Sequence, residues 1–407
     1  MPCPTTDLIH HPYVPPAEFA APQPGVFKAS TVIFPNVAAM RQREWKDKSG
    51  YTYGLHGTPT TFILEERLAA IEGGLQCLLV PSGLAAIANV ALSLLRSGDE
   101  LLIPDNAYGP NKTLAQAELQ AWGITHRFYD SMDTADLAAK IGPRTRLVWL
   151  EAAGSVTLEF PDLVEQVRIC RARGVVAALD NTWGAGLAFD PFDLGAAGEA
   201  PLAVDLSVHA LTKYPSGGGD VLMGSIVTRD EALHLRLKLT HMRLGLGVGA
   251  NDAETLLRAL PSMALRYRAH DATARTLARW CEARPEFVQV LHPALAASPG
   301  HAHWAALCAR EGLHQPGRAA GLFSVVIDPR YAQDRVDAFC DALRLFKLGY
   351  SWGGPMSLVV PYALAQMRVR WPAHLRQGTV VRFSVGLEDV VDLQADLEQA
   401  LVSSLAG

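Results

Sequence analysis

Between residues 61 and 255 the chain repeats one alternation. Short apolar runs that end in a polar residue ("CLLVPS", "ELLIPD", "RLVWLEA", "VVAALDN") are separated by stretches with apolar residues at helical spacing, such as "TTFILEERLAAIEGG", "NKTLAQAELQAWG" and "DLVEQVRICRARG". Strands that alternate with helices of this length build βαβ units, so a mostly parallel sheet with helices on both faces is predicted. Gly73-Gly74 stop the first helix, and Pro81-Ser82-Gly83 turn a strand into the next one.

The flanks differ. Residues 1–60 carry prolines at 2, 4, 12, 15, 16, 22 and 24. The reading is an extended, helix-free arm that is expected to lie against something such as a second subunit. Residues 256–407 mix a long helical stretch, interrupted at Pro261, with strand-like "GLFSVVID" and "VVRFSVG" and the helices "VDAFCDALRLF" and "VVDLQADLEQALVSSL". A smaller α+β domain is expected there, giving an arm (1–60), a large domain (61–255) and a C-terminal domain (256–407).

Composition narrows the function. Hydrophobic residues make up 49% and charged residues 19%, enough apolar material for a sizeable core. A formal charge of −5 with scattered basic residues argues against a nucleic-acid partner. Six cysteines (Cys3, Cys77, Cys170, Cys281, Cys308, Cys340) form no C-x-x-C pair, so neither a zinc site nor a redox motif is expected, and a reducing cytoplasmic compartment is. The Pro-rich N-terminus lacks the charged and apolar regions of a signal peptide, and no apolar run is long enough for a membrane span. The histidines of "GHAHW" (300–304) have no clustered partner ligands, so no metal site is expected.

Chemistry in an open α/β sheet gathers beyond the carboxyl ends of its strands. Glu151 and Ser155 close one such run, "RLVWLEAAGS", and three further groups stand with them. Ser82 and Gly83 open a helix, whose N–H groups can hold a phosphate or simply be capped. Asp180 ends an apolar run and can cap a helix, pair with a cation or face a positive ring nitrogen. Lys213, in "ALTKYPSGGGD", is either a loop lysine or an amine that forms a Schiff base. Amine, carboxylate and anion cradle together are what pyridoxal phosphate requires, although spacing alone leaves the plain readings standing. No G-x-G-x-x-G follows the first strand, which argues against a nicotinamide dehydrogenase.

From about residue 25 onward the sequence resembles the Cys/Met-metabolism family of fold-type-I pyridoxal-phosphate enzymes. The resemblance is carried by "YTYGLHGTPTTFILEERLAAIEGG", "PSGLAAIANVALSLLRSGDELLIPDNAYGPN", "LDNTWGAGLAF", "ALTKYPSGGGDVLMG", "SWGG" and "VRFSVGLEDVVDLQADLE", in the family's order. It implies that Lys213 bonds the cofactor and later moves the Cα proton. Asp180 would pair with the ring nitrogen, and Tyr108 would stack on the ring. Gly83, Leu84 and Thr212 would donate to the phosphate, and Tyr53 would reach a neighbouring subunit's site. Arg382 would clamp the substrate α-carboxylate, with Ser351 and Trp352 on the same side.

The implied activity is β-elimination of an amino-acid thioether, cystathionine, by a homotetramer built from active dimers. Trp352 favours this over γ-elimination or γ-replacement, because γ-type relatives tend to carry leucine there. A cysteine desulfhydrase and a catalytically silent cofactor-binding relative are the other readings. Three departures stand out. Leu55 occupies the place of a phosphate-binding arginine, with His56 after it. Ala152 and Ala153 replace a serine and a proline. Pro355 and Met356 follow "SWGG" where an aromatic or small residue and a glutamate are usual.

Overall fold

The computed structural model describes residues 4–195, 201–309 and 317–405. Seven strands form the larger sheet: β1 (Gln76–Val80), β2 (Glu100–Pro104), β3 (Thr125–Tyr129), β4 (Thr145–Glu151), β5 (Val176–Asp180), β6 (Leu206–Ala210) and β7 (Gly224–Thr228). Their order is β1-β7-β6-β5-β4-β2-β3, and only β7 runs against its neighbours.

Period-two geometry explains why the runs read as continuously apolar. Along β4, Leu147 and Trp149 pack with Ile87 and Val90 of helix Gly83–Leu94 and Leu237 of helix Glu231–Leu244. Val148 and Leu150 face the other way, into a core with Leu163 and Val167 of helix Leu163–Arg173. Both faces are covered, so both sets of side chains are apolar.

The second sheet contains β8 (Phe287–Leu291), β9 (Leu322–Ile327), β10 (Lys347–Leu348), β11 (Leu358–Tyr362) and β12 (Thr379–Ser384), in the order β10-β11-β12-β9-β8. It is antiparallel except for the short β10–β11 pair. Helices Gln333–Ala342 and Val390–Ser404 cover it.

Two expectations need correction. Pro261 does not interrupt the long helix, which runs unbroken from Ala250 to Glu282 through the position where the sequence suggested a boundary. The arm is not helix-free. Pro4–His10 is helical, because a proline in the first turn has no N–H to lose and its φ already suits a helix. Leu8 is buried there, where this helix meets Pro59–Glu72 and Ala250–Glu282. The rest of the arm exposes Val14, Phe19 and Ile33. Cys3 lies outside the described residues, and the other five cysteines are buried.

Candidate active site

The carboxyl ends of β4, β5 and β6 open onto a cavity of about 500 Å³, which the C-terminal domain closes with residues from the β10–β11 connection, β11 and β12. That volume is typical of a small-molecule site. Lys213, Asp180, Tyr108, Gly83, Leu84, Thr212, Arg382 and Trp352 all line it. Ser351 touches it through a hydrogen bond that its Oγ accepts from Lys213 Nζ at 3.0 Å.

Lys213 sits in a tight turn after β6, its N–H donating to the Ala210 carbonyl at 3.1 Å. Its amine lies 5.3 Å from the Trp352 ring centre, and Trp352 is braced edge-on against Tyr214 at 5.5 Å. Burial, and after it the Arg382 charge, lower the Lys213 pKa to about 8 against the opposing charge of Asp180. A neutral amine, the nucleophilic form, is therefore accessible near neutrality.

Asp180 ends β5 directly beside Glu151 of β4 in parallel register. Neighbouring carboxylates disfavour each other's ionisation. Burial, then the Asp180 charge, push the Glu151 pKa well up. Burial also raises Asp180, but Thr182 counters this by donating its N–H at 3.1 Å and its hydroxyl at 2.6 Å to Oδ1, and His209 and Lys213 add favourable charge. The Thr182 hydroxyl in turn accepts the Ala210 N–H at 2.9 Å, tying β5 to the turn that presents Lys213. Behind them, His209 Nδ1 lies 3.2 Å from Glu72 Oε1, while Glu72 Oε2 accepts from Asn181 (2.8 Å) and Ser207 (2.7 Å).

The anion cradle has a packing reason as well as a chemical one. Ser82 Oγ caps helix Gly83–Leu94 by accepting the Ala85 N–H at 3.0 Å. A Cβ on Gly83 would meet that of Ala210 at 2.6 Å, so glycine brings the helix start against β6. Tyr108 precedes helix Gly109–Leu114; its backbone N–H donates to Glu151 Oε2 at 2.9 Å, which fixes the residue at the rim.

Arg382 is only 6% exposed, yet Nε and Nη2 of its guanidinium have no hydrogen-bond partner among the described residues. A buried planar cation with free donors is suited to a carboxylate brought in from outside. It lies on the cavity wall with its guanidinium 5.3 Å from the Tyr362 ring.

Tyr53 is not among the cavity's lining residues; it stands 45% exposed on the arm. Leu55 and His56 line a separate small recess with Glu65, His234 and Lys238. The sequence reading missed Thr182, Tyr350, Tyr362 and Met367. Thr182, two residues after a strand-end aspartate, is a recurrent side-chain turn and was detectable. The other three reach the site only through tertiary packing. Among the described residues no three His, Cys, Asp or Glu side chains cluster as a metal site, and no helix is long and apolar enough to cross a membrane.

The parts fit pyridoxal phosphate: a depressed lysine amine, a buried carboxylate, a capped helix start and an arginine with two unpaired donors around one cavity. An α/β fold with such a site defines an enzyme of the aldehyde-cofactor class. Comparison with known proteins agrees. The chain belongs to the family described as Cys/Met metabolism PLP-dependent enzymes, which it matches over residues 5–402. It is similar to a putative cystathionine β-lyase of Rhizobium johnstonii (38% identity, covering 94% of this chain and 92% of the relative) and to a cystathionine β-lyase of Bordetella avium (39%, 92% and 90%). An L-methionine γ-lyase of Pseudomonas putida is 32% identical over 98% and 97% of the two chains. The solved cystathionine γ-synthase of Xanthomonas oryzae pv. oryzae, in complex with aminoacrylate and cysteine, superposes with a TM-score of 0.85 at 28% identity over the whole of both chains. The fold is that of the fold-type-I enzymes, and the protein is a pyridoxal-phosphate-dependent lyase of cysteine and methionine metabolism.

Proposed function

We propose that the reaction is β-elimination, with cystathionine cleaved to homocysteine, pyruvate and ammonia. The observation that carries this is the pairing of one poised base, Lys213, with the fixed bulk of Trp352 beside it. β-Elimination needs one proton taken from Cα and a leaving group on Cβ. γ-Chemistry needs a second proton shift at Cβ and room to move the base. The β-lyase relatives at 38–39% identity support the same choice.

When bound, pyridoxal phosphate supplies the aldehyde that captures the substrate amine and a ring that accepts the Cα–H electron pair. The remaining work falls to the chain. Arg382 holds the α-carboxylate with its two free donors. Lys213 Nζ, aimed by Ser351, takes the Cα proton. Asp180 would keep a ring nitrogen positive, and the hydrogen bonds from Thr182 favour its ionised form against burial. Tyr108 lies along the rim where a flat ring would stack, and Gly83, Leu84 and Thr212 offer donors to a phosphate. The Cβ–S bond then breaks, homocysteine thiolate leaves with its electrons and is protonated, and water converts the three-carbon remainder to pyruvate and ammonium. Tyr53, exposed and outside this cavity, is assigned to the site of a second copy in a homo-oligomer.

The test is the keto acid released from cystathionine by the cofactor-loaded protein. Pyruvate is expected; 2-oxobutyrate would mean cleavage on the γ side and would overturn the reading.

A further inference from the structure

Behind the ends of β5 and β6, none of its members lining the cavity, lies a polar cluster centred on Glu72, the last residue of helix Pro59–Glu72. Glu72 and His209 are each 1% exposed, and Asn181 and Ser207 not at all, so one copy of the chain completes the cluster. Glu72 Oε2 accepts from Asn181 Nδ2 and Ser207 Oγ. The contact of Oε1 with His209 Nδ1 at 3.2 Å is one of charge, because neither atom meets hydrogen-bond geometry there. His209 Nε2 also has no hydrogen-bond partner among the described residues. A buried ion pair with donors and acceptors left over is no better for stability than apolar packing of the same volume, so its presence asks for another role.

The bonds of this cluster fall on the residues that flank Asp180. Asn181 follows it in the chain, and its N–H donates to the Val208 carbonyl at 2.8 Å. Val208 is the register partner of Asp180 on β6, and Ser207 and His209 stand on either side of it. The next N–H of β6, that of Ala210, donates to the Thr182 hydroxyl, which donates in turn to Asp180 Oδ1. Gly184 closes the other side of Asn181: a Cβ there would meet Asn181 Oδ1 at 2.3 Å. One carboxylate on a helix therefore grips both strands at the level of Asp180. The His209 charge also favours the ionised form of Asp180 against its burial. The other titratable groups on which the Glu72 charge acts are Cys77 of β1, a buried thiol, and Asp190, itself offset by Arg229. Across β7, the register partner of His209 is the uncharged Ser225.

We propose that Glu72, with His209 as its counter-ion, is a positioning residue for the reaction: it holds Asp180 against the ring nitrogen of the cofactor and through it sets how strongly the ring draws electrons from Cα. The proposal rests on the assignment of Asp180 to that nitrogen and applies to β- and γ-elimination alike. Removing the Glu72 charge releases Asn181 and His209 together, so Asp180 loses an anchor on one strand and a favourable charge on the other. A weaker Asp180 leaves the ring nitrogen less positive. The rest of the bound cofactor then keeps its proton to higher pH, since one cationic site suppresses protonation of its neighbour.

The experiment titrates the visible absorbance of the holoenzyme with pH in Glu72→Gln, Asp180→Asn and the double variant. In Glu72→Gln the pH at which the absorbance changes is expected to rise by about one unit, the lower end of what a neighbouring charge does. Turnover of cystathionine should show a fall in kcat with KM little changed, because Arg382 is untouched. Asp180→Asn is expected to shift the transition further. Adding Glu72→Gln to it should then change nothing more, because two residues that act through one contact are not additive. No shift in Glu72→Gln, with far-UV circular dichroism unchanged, would overturn the proposal and leave the Asp180 assignment standing. The same shift from Glu72→Gln with and without the Asp180 carboxylate would overturn it too. No shift in Asp180→Asn would remove both. Should Glu72→Gln not accumulate as folded protein, His209→Gln takes its place: a shift in the same direction is expected, and none would overturn the proposal.

Discussion

Two clusters of buried charge lie at the junction of the domains, and they are opposites. Around Glu159 every group is matched: Arg368, His374 and Thr157 all approach its carboxylate, and they hold its pKa down at about 2 despite burial. Around Lys213 little is matched. The amine is depressed to about 8, the carboxyls of Asp180 and Glu151 are raised, and Arg382 keeps unpartnered donors in the interior. The first arrangement holds the 367–369 segment in place. The second leaves interactions to be made by a ligand, which is the physical difference between a structural ion pair and a site.

Lys213→Ala removes the amine at the centre of the unmatched cluster. Pyruvate release from cystathionine is expected to fall by roughly 10³-fold, as for loss of a positioned general base, with far-UV circular dichroism unchanged. A loss below tenfold would remove Lys213 from the chemistry.

The two arginines sharpen it. Arg368→Met strands Glu159 without its cation and is expected to destabilise the protein by about 3–5 kcal/mol in urea unfolding. Arg382→Met removes a buried charge with two unpaired donors, so the stability of the cofactor-free protein should hold or rise, while kcat/KM falls by about 10²-fold with the loss of charged hydrogen bonds to the carboxylate. Equal destabilisation by both changes would contradict the contrast.

The smallest effect is in pH. Capture of pyridoxal phosphate by the cofactor-free protein needs a neutral Lys213, so its rate should rise close to tenfold per unit up to about pH 8 and level off above it. The same shift predicts stability from the sign of proton uptake. Where the unfolded lysine is protonated and the folded one is not, between about pH 8 and the ordinary lysine value of 10.5, stability rises with pH and is lost as pH falls through that window. Glu159, also depressed, contributes stability that is present above the ordinary carboxyl value of 4.5 and lost as pH falls towards 2. A capture rate still climbing at pH 10 would place Lys213 in an ordinary, solvated setting.

Much of this was readable from local sequence. Apolar runs that close on Glu151 and Asp180, and the serine cap before Gly83, are short-range patterns, and the structure places them at strand ends and a helix start. Reversal of β7 was not readable, since direction in a sheet depends on pairing rather than on any one segment. Nor was the Glu159–Arg368 clamp, whose partners lie 209 positions apart. Pro261 misled because an internal proline removes one hydrogen bond, while burial of Leu257, Leu260 and Ala264 on the same helix outweighs that loss. The orphaned donors of Arg382 are a property of its neighbours, and no residue's identity reveals them.

The unbroken helix Ala250–Glu282 has a mechanical consequence. Its 33 residues amount to about 50 Å of helical rise, and it packs against helix Pro59–Glu72 of the larger lobe and against β8 and β9 of the second sheet. An element shared by both lobes ties the side of the cavity that carries Lys213 to the side that carries Arg382, so the two sides are jaws on one spine.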